Sequence, residues 1–185
     1  MNATETYLKG CFIIEPTVYQ DKRGYFFESF NENILNEILG FRPHFVQDNQ
    51  SQSTYGVVRG LHLQQGEHAQ AKLVRVLEGK VLDVVVDVRK NSTTYGKSFS
   101  IELSSENNRQ LFIPKGFLHG FSVLSERATF FYKCDQFYHK DSENGVYPLD
   151  IDLGIDWQIP TEDMILSEKD QAAQRFLDFN NHHHL

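Results

Sequence analysis

The strongest constraint on this chain is a succession of short β-branched and aromatic runs, each ended by a turn signal. Strand-like segments are expected at residues 11–15, 25–30, 45–51, 57–63, 72–77, 81–88, 98–103, 109–113, 119–124 and 128–134. The breaks between them include Asp21-Lys22-Arg23-Gly24, Glu78-Gly79, Lys90-Asn91-Ser92 and Pro114-Lys115-Gly116, residues suited to tight turns. Short strands at this spacing predict an antiparallel sandwich or barrel. Two helices are expected. Asn31 is placed to N-cap the first, with Ile34, Leu35, Ile38 and Leu39 at helical spacing and Gly40 as its stop. The second spans residues 168–176, and 177–185, with His182-His183-His184, reads as a tail outside any site. A length of 185 residues fits one domain with a sizeable core.

Within this pattern the run Val-Val-Arg-Gly-Leu-His-Leu-Gln, residues 57–64, stands out. On strict alternation His62 and Gln64 share one face of the strand and Arg59 falls on the other. A bulge at Gly60 would turn Arg59 toward the His62 side. An arginine and a histidine in one apolar strand are costly to bury without partners. They are either an exposed Arg and a hydrogen-bonded core His, or members of a site. A second His, a Lys and several Tyr in similar settings downstream favour a site.

Charge narrows the function classes. The chain carries 18 basic and 25 acidic residues, a net charge of -7, which points away from nucleic acid and anionic membranes. No apolar run approaches a membrane span, and the opening residues do not read as a signal peptide. Cys11 and Cys134 lie far apart, without metal-like spacing or a disulfide framework. A cytosolic protein is expected.

Two strand–turn units, Gly60-Leu61-His62 through Lys72 to Gly79 and Pro114-Lys115-Gly116-Phe117-Leu118-His119, resemble the paired motifs of the cupin superfamily. That resemblance implies an all-β fold, a cupin-type double-stranded β-helix (jelly-roll barrel) with a few short peripheral helices. Many cupins hold a metal. Here Gln64 stands two residues after His62, and Lys72 or its neighbours take the place of the acid. His62 and His119 alone are a thin set for a divalent cation, so no metal is expected.

A narrower resemblance spans nearly the whole chain. Residues 21–30 (Asp-Lys-Arg-Gly-Tyr-Phe-Phe-Glu-Ser-Phe), Gln47-Asp48-Asn49 and Arg59-Gly60-Leu61-His62-Leu63-Gln64 are similar to the dTDP-4-dehydrorhamnose 3,5-epimerase family. So are Ala71-Lys72-Leu73-Val74-Arg75, residues 113–121 and Leu166-Ser167-Glu168-Lys169-Asp170. The resemblance implies a cofactor-free isomerase acting at C3 and C5 of a dTDP-4-keto-6-deoxy sugar in dTDP-L-rhamnose biosynthesis.

It also implies roles. His62 would be the base and Asp170 would hold its tautomer. Tyr132 would be the proton donor on the opposite face, and Lys72 the cation near the C4 oxygen. A histidine suits a base because its ordinary pKa lies near neutrality. Arg23 and Arg59 are natural pyrophosphate clamps. Glu28, Gln47, Asp48, Asn49, His119, Glu143 and Lys169 match further substrate contacts, and Tyr138 matches an aromatic that packs near the nucleotide. In this family the N-terminal strands cross to a neighbouring subunit. Arg23 and Glu28 would then serve the other site of a homodimer. Without the resemblance, Tyr132 in Phe130-Phe131-Tyr132 would read as core packing and Lys72 as a solvated strand residue.

The pattern departs at Tyr19, Leu63 and Gly66, which touch packing and loop stiffness more than proton chemistry. Two alternatives stay open. One is a single-centre (C3 or C5) epimerase of a related dTDP-4-keto sugar. The other is a non-catalytic sugar-nucleotide-binding cupin.

Overall fold

The computed structural model describes residues 1–182, with 180–182 described by backbone alone. The strands are β1 (Asn2–Glu5), β2 (Phe12–Glu15), β3 (Tyr19–Asp21), β4 (Gly24–Phe26), β5 (Gln47–Thr54), β6 (Val58–Gln64) and β7 (Lys72–Glu78). They continue as β8 (Lys80–Asp87), β9 (Ser98–Ser104), β10 (Gln110–Ile113), β11 (Phe117–Val123), β12 (Arg127–Cys134) and β13 (Glu143–Gly145). The helices are α1 (Glu32–Leu39), α2 (Glu168–Gln171) and α3 (Phe176–His182). One sheet has the order β1-β2-β10-β7-β12-β5, the second β13-β6-β11-β8-β9, and β3 pairs with β4 as a separate ribbon.

Burial explains the layering. From Val81 to Asp87 on β8, and throughout β11, every residue is buried, as expected of strands covered on both faces. The inner row Val81, Val85, Phe117 and Phe121 meets Val74, Val76 and Phe130 of the other sheet. The outer row Leu82, Val84, Val86 and Leu118 is covered by Leu153, Trp157, Phe176 and Phe179. Leu35 and Leu39 of α1 cover the six-stranded sheet at Ile14, Leu73 and Phe112. The caps of α1 are those expected. Asn31 Oδ1 accepts from the N–H groups of Asn33 and Ile34, and Gly40 closes the helix at φ 73°.

Four expectations change. The strand expected over 25–30 stops at Phe26, where its pairing with β3 ends. Beyond it side chains hold the segment. Phe27 lies 5.2 Å under the Arg75 guanidinium, and Ser29 O accepts from Gln110 Nε2 at 2.8 Å. The strand expected over 45–51 moves to Gln47–Thr54, because its ladder with β12 runs from Cys134 to Arg127. The helix expected over 168–176 is two helices. Between them Gln174 O accepts from Tyr147 N–H, and Asp150 Oδ2 accepts the Phe176 N–H at 2.9 Å, starting α3. The stretch from 177 is therefore no tail as far as it is described, since Phe179 is buried against Trp157 and its neighbours. His182 ends α3, while His183 and His184 lie outside the described residues.

The bulge expected at Gly60 is present. Arg59 pairs with Phe121 and His62 with His119, so β6 carries one extra residue between the two pairs. Gly60 has φ 113°, and a Cβ there would stand 2.6 Å from His119 O and 2.7 Å from Gly120 Cα. Only glycine fits both the dihedral and the gap. Gly60→Ala should therefore lose about 3 kcal/mol or more of unfolding free energy. Gly66→Ala, at φ 62° with nothing within 4 Å of a Cβ, should lose only about 1–2 kcal/mol. Urea unfolding of the two variants side by side checks the contrast.

Candidate active site

The two sheets leave an open cleft of about 620 Å³ at one end of the interior. The inner face of β6 contributes Arg59 and His62, and β11 contributes His119. From the opposite sheet come Asn49 of β5, Lys72 of β7 and Tyr132 of β12. The segment from Ile165 to Asp170 closes one side, tied down by the bridge between Val57 and Ile165.

His62 and Asp170 are 108 residues apart in sequence, yet His62 Nε2 lies 2.6 Å from Asp170 Oδ1. Asp170 sits in the first turn of α2, whose N-cap Ser167 accepts the Asp170 N–H at 3.1 Å. Burial alone would raise the Asp170 carboxyl. The hydrogen bond and charge of His62, with the Ser167 and Gly60 hydrogen bonds, outweigh that and hold it below the usual carboxylate range. A second imidazole–carboxylate pair lies deeper, with His119 Nε2 2.8 Å from Asp83 Oδ1. Burial, with the nearby Lys72 and His62, lowers the His119 pKa against the pull of Asp83.

Opposite them, Lys72 Nζ stands 5.8 Å from the centre of the Tyr132 ring. Lys72 forms no ion pair among the described residues, and burial lowers the pKa of its ammonium. Tyr132 is pushed up to about 12, first by burial and then by Cys134 and Glu143. Its hydroxyl therefore keeps its proton at neutral pH. At the rim Glu143 accepts from the Tyr138 hydroxyl at 2.9 Å and pairs with Lys169 at 2.6 Å. Burial raises Glu143, but those two hydrogen bonds bring it net below the usual range. Among the described residues no group of His, Cys, Asp or Glu side chains is arranged to hold a metal ion.

The arrangement sets a carboxylate-backed imidazole across a cleft from a protonated phenol and an unpaired ammonium. That is an acid, a base and a cation around one small volume. The profile described as dTDP-4-dehydrorhamnose 3,5-epimerase matches residues 5–178. The chain belongs to this epimerase family. It is 49% identical to the dTDP-4-dehydrorhamnose 3,5-epimerase of Shigella flexneri, over 96% of this chain and 97% of that relative. The crystal structure of the enzyme from Elizabethkingia anophelis is 60% identical, with a TM-score of 0.94, covering 97% of this chain and 98% of that one. The dTDP-6-deoxy-D-glucose-3,5-epimerase of Legionella pneumophila, solved in complex with dTDP-4-keto-L-rhamnose, is 49% identical with a TM-score of 0.90. That match covers 94% of this chain and 92% of the Legionella chain. The fold is thus the cupin-type all-β barrel of this epimerase family, with short peripheral helices.

Not every expected site residue of the epimerase reaches the cleft. Gln47 lies just beyond it, donating to Asn49 Oδ1 at 3.0 Å and accepting the Tyr138 N–H at 3.0 Å. Asp48 also lies off this chain's cleft. Alternation along β5 puts it on the face opposite Asn49, where it pairs with Lys133 at 3.0 Å instead of facing this chain's cleft. Arg23 lies on the β3–β4 ribbon, paired with Asp21 at 2.6 Å, and Glu28 is exposed nearby. Neither lines this chain's cleft. Three features were missed in the sequence. Ser53 accepts from Arg59 Nε at 3.0 Å and orients the guanidinium. Gly145 leaves room for the His62 ring, since a Cβ there would stand 3.1 Å from His62 Cδ2. Asp83 had a readable signal, a lone acid inside an aliphatic strand.

The Asp170 shift has a measurable consequence. A carboxyl whose folded pKa lies below its ordinary value stabilises the fold above that ordinary value, and the contribution is lost as pH falls through the folded pKa. The stability gap between wild type and Asp170→Asn should be present at about pH 5 and close as pH falls below about 4. Urea unfolding across that range reads it.

Proposed function

We propose that this protein inverts C3 and C5 of dTDP-4-dehydro-6-deoxy-D-glucose to give dTDP-4-dehydro-L-rhamnose, a step toward dTDP-L-rhamnose. The observation that carries the reading is the His62–Asp170 pair facing Tyr132 and Lys72 across one cleft. The C4 ketone acidifies the neighbouring C–H bonds. His62 removes the proton, and Asp170 holds the imidazole in place and stabilises its cation. The charge that develops on the ketone oxygen is met by Lys72, whose ammonium has no competing ion pair. Tyr132 returns a proton from the opposite face, which inverts the carbon; His62 then releases its proton to solvent and Tyr132 regains one from it, and a second round treats the other centre. The ketone is the electron sink, so these side chains suffice for each step.

Arg59, held by Ser53, suits the pyrophosphate. Asn49, His119, Glu143 and Lys169 hold the sugar nucleotide, Gln47 fixes Asn49 and the Tyr138 backbone, and Tyr138 offers an aromatic face to the base. In the single chain Arg23 and Glu28 have no route to the cleft, and a homodimer supplies one. The β3–β4 ribbon exposes Tyr19, Tyr25 and Phe26 at 60–70%, an apolar patch suited to a second copy. We place the enzyme in the cytoplasm, where the buried free thiols of Cys11 and Cys134 stay reduced. Among the described residues no helix is long and apolar enough to cross a membrane.

The deciding measurement is NMR in D₂O with dTDP-4-keto-6-deoxy-glucose. Wild type should place deuterium at both C3 and C5, and His62→Ala at neither. Tyr132→Phe should keep solvent exchange while product forms roughly 10²–10⁴-fold more slowly. Deuterium at one carbon would mean a single-centre epimerase. No exchange by wild type, with dTDP still bound, would leave a binding protein. Light scattering after size exclusion should give twice the chain mass of 21.5 kDa, and Arg23→Ala should raise KM about tenfold. A monomer with unchanged KM would remove the shared-site reading.

A further inference from the structure

Asp83 has no part in the chemistry above, yet it is among the most costly residues in the barrel. It is fully buried on the inner face of β8, between aliphatic neighbours. Its Oδ1 receives His119 Nε2 at 2.8 Å. Its Oδ2 is buried without a hydrogen-bond partner among the described residues. Asp87, four residues along the same strand, shows how a structural carboxylate is satisfied. It accepts from the Arg89 backbone and guanidinium and from the hydroxyls of Ser92 and Thr94. A buried carboxylate given one donor is expensive. The backbone of His119 is fixed without it, by strand pairing with His62 and Val85, and one face of the ring stacks 6.0 Å from Phe130. What Asp83 adds is the location of a proton.

A carboxylate can only accept, so Nε2 of His119 must carry hydrogen. Nδ1 has no hydrogen-bond partner among the described residues, and His119 lines the cleft beside His62, Lys72 and Tyr132. Of the charged and titratable groups around it, burial, Lys72 and His62 oppose an imidazolium and only Asp83 favours one. The ring is therefore neutral at neutral pH, and Nδ1 is a bare acceptor.

We propose that Asp83 is a positioning residue that locks His119 in the Nε2–H tautomer. His119 Nδ1 then accepts a hydrogen bond from the bound sugar and selects sugars that carry a hydroxyl donor at the position facing it. The inference rests on the reading of the cleft as a keto-sugar nucleotide site. It adds a specificity element distinct from the His62 chemistry.

The test uses the full chain labelled with ¹⁵N-histidine, His119 being assigned by its loss in His119→Gln. In wild type between pH 7 and 8, His119 should show one protonated nitrogen, Nε2, and one bare nitrogen, Nδ1. Adding dTDP-4-keto-6-deoxy-glucose should shift Nδ1, and dTDP alone should not. In Asp83→Asn, whose amide can donate as well as accept, the two nitrogen shifts should converge. KM for the sugar nucleotide should rise about tenfold, with dTDP affinity unchanged. A doubly protonated His119 or an Nδ1–H tautomer in wild type would overturn the proposal. So would Asp83→Asn with unaltered tautomer and KM, or an Nδ1 shift with both ligands or with neither. If Asp83→Asn does not fold, the wild-type ligand titration decides alone. Failure of the functional reading would be seen separately, as absent deuterium exchange by wild type.

Discussion

The site depends on how closely β6 lies against its neighbours. At Gly60 a Cβ would collide with His119 O, and at Gly120 one would stand 2.5 Å from Arg59 O. On the other edge a Cβ at Gly145 would stand 2.6 Å from Leu61 O. Three backbones thus meet where side chains have been removed. The extra residue absorbed at Gly60 is what puts Arg59 and His62 on the same inner face. A regular strand would have sent one of them to the outer layer around Trp157. Arg59 and His62 therefore share a cleft because of a local backbone irregularity.

The electrostatics follow from where these strands sit. Polar groups project into an interior whose walls are Phe121, Phe130 and Val74, and weak screening there makes each pairing count. Both imidazoles are backed by a carboxylate, whereas Lys72 and the Tyr132 hydroxyl face the cleft without ion pairs. Burial lowers the Lys72 ammonium and pushes Tyr132 up to about 12. These are the shifts expected of an unmatched cation and a proton-bearing phenol held away from water. The cost is carried by apolar layers on both sides of β8 and β11. Partners are thus missing where a substrate would supply them.

Much of this was legible in the chain. The β rhythm, the capped α1, the bulge at Gly60 and the Arg59–His62 strand could be argued from residue types and spacing. The motif blocks pointed to the epimerase family. Elements whose limits depend on a partner strand were less legible. β4 stops at Phe26 because its ladder ends there, and β5 begins at Gln47 because β12 dictates its register. The division of the C-terminal helix turns on Tyr147 and Asp150, which act on it from outside. A motif of consecutive residues does not say which of them alternation turns outward, as it turns Asp48 toward Lys133.

By itself, then, the sequence determined the local physics: which runs extend, where glycine must bend them, which strand holds a histidine that an apolar face would not otherwise keep. Only the tertiary structure decided which carboxylate stands behind which imidazole. Asp170 and Asp83 lie 108 and 36 residues from their histidines, and no periodicity links positions so far apart. Their pairing is set by sheet order and by the bridge that folds Ile165 onto Val57. Hydrogen bonds of this kind are specified by the position of the partner in space, and that position exists only once both layers of the barrel have closed.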